Sequence, residues 1–142
     1  MNIWLGALLV GRGWAMAQRG DPQGGIRVIH EGLAVYASTD SVFMLPMYRG
    51  LLAEQYGKVA QTDLGLSTVS DALAAVEHTG ERWYEAELYR CRGALLELRC
   101  EFEDAEVAYQ QAVRVARQQK ARGLELRAER SLNSIRDRRG AM

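Results

Sequence analysis

The chain has little of what stabilises small secreted or catalytic proteins. It holds two cysteines, two prolines and two histidines in 142 residues, and aromatic residues make up 8 %. Cys91 and Cys100 lie nine residues apart in what reads as one helix, on opposite sides and roughly 13 Å apart along the axis, so a disulfide between them is excluded geometrically. With no His or further Cys at ligand spacing, both read as small core or surface residues of a reducing compartment, and no metal site is expected. Net charge is absent as well: 18 Lys+Arg balance 18 Asp+Glu, which removes the overall electrostatic case for a nucleic-acid or anionic-membrane binder. The longest apolar run, Ile3 to Val10, falls far short of the roughly 20 residues of a spanning helix, so no membrane association is expected. Ala15-Met16-Ala17 has the form of a signal-peptide cleavage site. No Lys or Arg precedes the run and Arg12 follows it, however, so the segment reads as a helix of a mature, cytoplasmic fold.

Catalytic machinery is equally scarce. Gly11-Arg12-Gly13 lacks the third glycine of a dinucleotide loop, since Met16 stands there, and no G-K-[ST] occurs. His30 lies mid-helix and His78 in a last helical turn, where a cation is favoured; both read as surface or capping residues. Glu101, Glu103 and Asp104 open a helix, which explains them as capping acids better than as an acid pair, and Glu85 with Glu87 offers no better case. No catalytic residue and no cofactor is assigned, and the chain is expected not to be an enzyme.

What is present in quantity is helix-forming sequence: 19 Ala and 17 Leu against 10 Val, 4 Ile and 4 Thr. Shifting the chain by forty residues superposes small on small and large apolar on large apolar. Gly13, Ala53 and Gly93 coincide, as do Gly20, Ala60 and Cys100, Gly25, Gly65 and Ala105, Ile29, Val69 and Tyr109, and Gly32, Ala72 and Ala112. Breaks at Arg19-Gly20-Asp21-Pro22, Ser38-Thr39-Asp40-Ser41, Gln61-Thr62-Asp63 and His78-Thr79-Gly80-Glu81 agree with this phase. Seven helices are predicted, near 3–18, 22–37, 43–58, 62–78, 82–99, 102–120 and 122–138, with Pro46 delaying the third to about residue 45. The units run about 3–40, 41–80 and 81–120, followed by a terminal helix 122–138, all within one domain. Close crossings are expected at Gly65 against Ala53 and at Gly93 against Ala105.

The spacing small, twelve on to small, four on to large, three on to small resembles the tetratricopeptide repeat, in a long form of forty residues. The stretch Gly80-Glu81-Arg82-Trp83-Tyr84-Glu85-Ala86-Glu87-Leu88-Tyr89-Arg90, with Leu51 to Lys58 before it, resembles the C-terminal repeat region of bacterial signalling proteins. Those proteins carry an ATPase domain and often a class III adenylate/guanylate cyclase domain upstream. Cys100 replaces a usual turn glycine and Arg49 a usual aromatic, and no ATPase or cyclase sequence is present. The resemblance implies an all-α, helical-hairpin solenoid of three antiparallel pairs plus a terminal helix, working as a non-enzymatic protein-interaction module of a bacterial signalling or regulatory protein.

Carried over residue by residue, the resemblance places Val10, Trp14, Met47, Glu54, Lys58, Glu87, Arg90, Ala94, Glu97, Arg127, Arg130 and Ser134 along a concave groove. The Lys and Asn pair by which some members of the family clamp a chaperone's carboxylate is replaced by Val10 and Trp14. Alternating Glu and Arg instead favour a mixed-charge peptide or a neighbouring domain. Reversing Arg90 and Arg130 is expected to abolish binding while barely affecting folding. The other reading is a nucleic-acid-associated regulator, drawn from nine Lys+Arg against three acids between Arg114 and Arg139; no aromatic residues interleave them, which disfavours nucleic acid. Finally, Ile3, Trp4, Leu5, Leu8, Leu9, Val10 and Trp14 spread too widely round the first helix for one partner to bury them all. This predicts an upstream repeat or domain, or self-association through residues 3–14.

Overall fold

A computed structural model describes residues 3–142 as seven helices: α1 (Ile3–Gln18), α2 (Pro22–Ala37), α3 (Leu45–Lys58), α4 (Thr62–Thr79), α5 (Glu85–Leu98), α6 (Phe102–Gln118) and α7 (Arg122–Ala141). The fold is all-α. Asp21 caps α2 through Oδ1, which accepts the Gly24 N–H at 2.9 Å, and Pro22 occupies the first turn. Pro46 stands in the first turn of α3, which accordingly begins at Leu45. Helix α5 starts at Glu85, later than the sequence suggests, because Arg82, Trp83 and Tyr84 turn before it and the Glu85 N–H bonds to the Arg82 carbonyl.

The turns repeat with the sequence. Gly20, Ala60, Cys100 and Lys120 all adopt left-handed backbone, at φ 98°, 60°, 60° and 55°. In each case the next N–H bonds back to the carbonyl five residues earlier: Asp21 to Met16, Gln61 to Tyr56, Glu101 to Leu96 and Ala121 to Ala116, at 2.9–3.0 Å. One turn geometry thus closes α1, α3, α5 and α6, although only the first supplies a glycine for it.

Chain neighbours pack antiparallel. Between α1 and α2 the contact is glycine on glycine: Gly6 lies against Gly32 and Gly13 against Gly25, so closely that a Cβ on Gly13 would sit 2.6 Å from the Gly25 carbonyl oxygen. Across α3 and α4 a Cβ on Gly65 would meet first the Leu95 side chain of α5, at 2.7 Å, with the expected Ala53 next, its carbonyl oxygen at 3.4 Å. The third crossing differs from expectation. A Cβ on Gly93 would meet first the Tyr109 ring, at 2.5 Å, rather than Ala105. Tyr109 is the largest of the equivalent residues Ile29, Val69 and Tyr109, and its ring fills the space over the glycine.

Helices two apart in the chain run parallel on the odd-numbered side. Gly50 faces Tyr84 and Leu88, while Gly57 faces Leu95 and Leu98, which lays α5 alongside α3. Arg127 and Arg138 of α7 reach Glu87 and Glu97 of α5, and Lys58 of α3 donates to Gln18 of α1 at 2.6 Å. Among the described residues, the even-numbered helices approach only their chain neighbours. The core is a succession of small clusters rather than one centre. Val10, Ile29, Tyr36, Tyr48, Leu52 and Tyr56 form the first, Ala53, Val69 and Leu95 with Ala72, Val76 and Leu88 the middle, and Leu96, Tyr109, Ala112, Leu132 and Ile135 the last.

Candidate functional site

Because α3, α5 and α7 lie side by side and parallel, residues one helical turn apart on each project into a shared hollow. A cavity of 290 Å³ opens there, with Glu54 and Lys58 from α3, Arg90 and Ala94 from α5, and Arg127 from α7 around it. Its floor is apolar: Gly57, Cys91, Leu95 and Leu98, of which Leu98 is 59 % exposed. These five wall residues are all on the sequence-derived set. The floor residues are not, although Gly57 and Leu98 stand one turn beyond Glu54 and Ala94 and were accessible by the same spacing.

The remaining residues of that set fall elsewhere. Val10 is 1 % exposed, in the core between α1, α2 and α3, so it cannot meet a partner. The reason is the Gly6–Gly32 and Gly13–Gly25 approach, which draws this face of α1 onto α2. Trp14 is partly exposed on α1, outside the cavity lining, and Met47 is half-buried against the first core cluster. Glu97 accepts a hydrogen bond from the Tyr109 hydroxyl at 2.8 Å and borders a neighbouring hollow with Ala94, Leu98 and Arg138. Arg130 and Ser134 are exposed on α7 beyond the cavity lining.

Glu87, also of that set, does not line the cavity; its side chain is 7 % exposed and held by two residues that do, Arg90 Nε at 2.9 Å and Arg127 Nη1 at 3.3 Å. Burial by itself would lower the Arg90 pKa, but the Glu87 carboxylate outweighs it and raises it, so the guanidinium stays charged. Arg90 is therefore half of a buried pair, and reversing it would strand Glu87. The expectation that Arg90 can be reversed without cost to folding does not hold. Burial pushes the Cys91 thiol up to about 12, with Glu54 and Glu87 adding to the effect against Arg90. The thiol is protonated at neutral pH and not a ready nucleophile. The Tyr84 phenol nearby is also raised, first by burial and then by Glu87 and Glu54. The site offers fixed charges of both signs around an apolar floor, an arrangement suited to recognition.

Elsewhere, a larger hollow of 630 Å³ lies between α6 and α7, bordered by Arg114, Arg117, Glu129, Asn133 and Arg136. His30 is exposed, with Nε2 2.7 Å from the Tyr56 hydroxyl, and His78 sits in the last turn of α4. Cys91 and Cys100 are free thiols. Among the described residues, no helix is long and apolar enough to cross a membrane, and no group of three His, Cys, Asp or Glu is placed to hold a metal ion.

No family model matches the chain. It is 31 % identical over 136 residues to an uncharacterised protein of Rhizobium meliloti (strain 1021), a match that covers 95 % of this chain and 13 % of that protein. The chain spans about an eighth of the length of this relative.

Proposed function

We propose that the chain is a non-enzymatic helical-repeat module, built on the tetratricopeptide plan, that binds a mixed-charge peptide or a neighbouring domain between α3, α5 and α7. The observation that carries this reading is the convergence of Glu54, Lys58, Arg90, Ala94 and Arg127 from three parallel helices on one cavity with an apolar floor. The forty-residue offset between Glu87 and Arg127, and the shared turn at residues 20, 60 and 100, support the repeat plan. The resemblance to bacterial signalling proteins supports a place in such a protein, in the cytoplasm.

The bound segment should carry acidic groups toward Lys58, Arg127 and the adjacent Arg130, and a basic group toward Glu54, around a small apolar side chain. The alternative, nucleic acid on the basic α7, is disfavoured by how its charges are used. Arg122, Arg127, Arg136, Arg138 and Arg139 of α7, and Arg117 at the end of α6, all have carboxylate partners in the chain. Selection of peptides from a displayed library, followed by binding measured across a salt series, tests the reading. Enriched mixed-charge sequences with moderate salt dependence are expected; no enrichment, together with tight DNA or RNA binding that collapses steeply with salt, would favour the alternative.

A further inference from the structure

Trp4, Leu8, Gly11 and Ala15 form one stripe along α1, at the i, i+4, i+7, i+11 spacing of a single helix face. Forty residues on, the stripe is Met44, just before α3, with Tyr48, Leu51 and Gln55 in it, and forty further it is Tyr84, just before α5, with Leu88, Cys91 and Leu95 in it. In both later helices this stripe is the surface that packs on the preceding helix pair. Tyr48 is 8 % exposed, its ring edge-on to Tyr36 of α2 at 5.3 Å. Leu88 is fully buried with Ala72 and Val76 of α4, and Tyr84 and Leu95 lie against Gly50 and Gly65 of the preceding pair. In α1 the same stripe is open at three of its four positions among the described residues: Trp4 is 76 % and Leu8 70 % exposed, no described atom comes within 4 Å of a Cβ built on Gly11, and Ala15 is half-buried. Leu5 is exposed beside them, and Arg12 is the only charge in the helix.

We infer that this stripe is the seat of a further helical hairpin, of the same make as residues 41–80, lying N-terminal to α1 on the same polypeptide. Continuity with the two established interfaces fixes the occupant. The α5 stripe takes Gly50 and Gly57 from the first helix of the preceding pair and Ala72 and Val76 from the second, so the α1 stripe calls for small and aliphatic residues from two helices at once. The far end of a second copy does not supply them, because α7 exposes Arg130, Asn133, Ser134 and Asp137. A second α1, packed antiparallel, would bring only Gly11 and Ala15 to receive Trp4 and Leu8, from one helix where the α5 stripe engages two. In the Rhizobium meliloti relative the matching segment makes up 13 % of the protein, so there it is part of a longer polypeptide. The seat is separate from the cavity between α3, α5 and α7.

The test fuses a second copy of residues 41–80 directly before residue 1, which preserves the forty-residue register, in a Trp14→Phe, Trp83→Phe background that leaves Trp4 as the sole tryptophan, excited selectively over the tyrosines. Relative to the same background without the fusion, Trp4 emission should shift to the blue, acrylamide quenching should fall several-fold, and helicity should rise by the added hairpin. Leu8→Glu in the fusion should restore quenching. Unchanged Trp4 quenching, or an appended hairpin that stays unfolded on an intact 142-residue core, would overturn the inference. So would an unfused chain that sediments as a dimer with Trp4 already protected, which would assign the seat to a second copy.

Discussion

Arg127 Nη1 stands 3.3 Å from Glu87 Oε1, a pair forty residues apart that ties the terminal helix to the helix one repeat earlier. Arg90 closes on the same carboxylate from below, so Glu87 joins two cations although its side chain is almost fully removed from water. A buried acid of this kind fixes two cavity-lining cations and ties α7 to α5.

Glu87→Gln keeps the shape and removes the charge. Leaving Arg90 partly buried without its counter-charge should cost about 1–2 kcal/mol, less than for a fully dry pair because Arg127 reaches solvent. Urea unfolding measures this. Glu77→Gln, which removes an exposed partner of Arg82, should leave the midpoint unmoved. Equal midpoints for the two variants would show that Glu87 has no structural role.

Glycines in α1 should respond oppositely to alanine. At Gly13 the new methyl meets the Gly25 carbonyl oxygen at 2.6 Å, so the helices must separate, at about 1–3 kcal/mol against a gain in helix propensity of about 1. At Gly11 the methyl meets nothing, so only the gain remains. Thermal melts should place Gly13→Ala below the parent and Gly11→Ala above it. The reverse order would contradict the α1–α2 crossing.

Cys100→Gly should stabilise the protein. Cys100 is exposed and held at φ 60°, where a side chain costs roughly 1–2 kcal/mol, part of which is offset by the greater backbone freedom of glycine when unfolded. A net gain of about 0.5–1 kcal/mol in chemical denaturation is expected. A loss would show that the thiol makes a contact of its own.

Tyr48, Tyr84 and Tyr109 hold their phenols above the usual value, chiefly through burial, with Glu97 adding to the effect at Tyr109. A group whose folded pKa is raised stabilises the fold fully below its unfolded pKa, here about 10, and loses that contribution as pH climbs through the folded value. Stability should therefore fall above pH 10, and absorbance near 295 nm should report fewer phenolates in the native chain than in guanidinium at the same pH. Native titration of all 6 tyrosines together would contradict the burial of these three.

Helix boundaries were legible wherever Gly, Pro or Asp marked them, and the forty-residue period carried the pairing of helices. The start of α5 was not, because Arg82, Trp83 and Tyr84 contain no breaker, although they repeat the turn that Val42, Phe43 and Met44 make before α3. Glu54, Lys58, Arg90, Ala94 and Arg127 could be placed together because repeat offset fixes which residues of parallel helices share a side. The burial of Val10 could not be read, since apolar residues ring α1 and only the glycine-on-glycine contact selects the face that turns inward. Nor could that of Glu87, whose partner Arg127 arrives from another helix. Periodicity reports a helix face; it does not report what lies opposite.

If the cavity between α3, α5 and α7 receives a polypeptide, Ala94→Trp should block it. Ala94 is half-buried at the rim, and an indole there fills the 290 Å³ cavity without disturbing the Glu87 cluster. For a peptide selected on the parent, fluorescence anisotropy should show affinity reduced at least about tenfold, a change of about 1.4 kcal/mol, with helicity and melting temperature unchanged. The same dissociation constant for Ala94→Trp and the parent would contradict the claim.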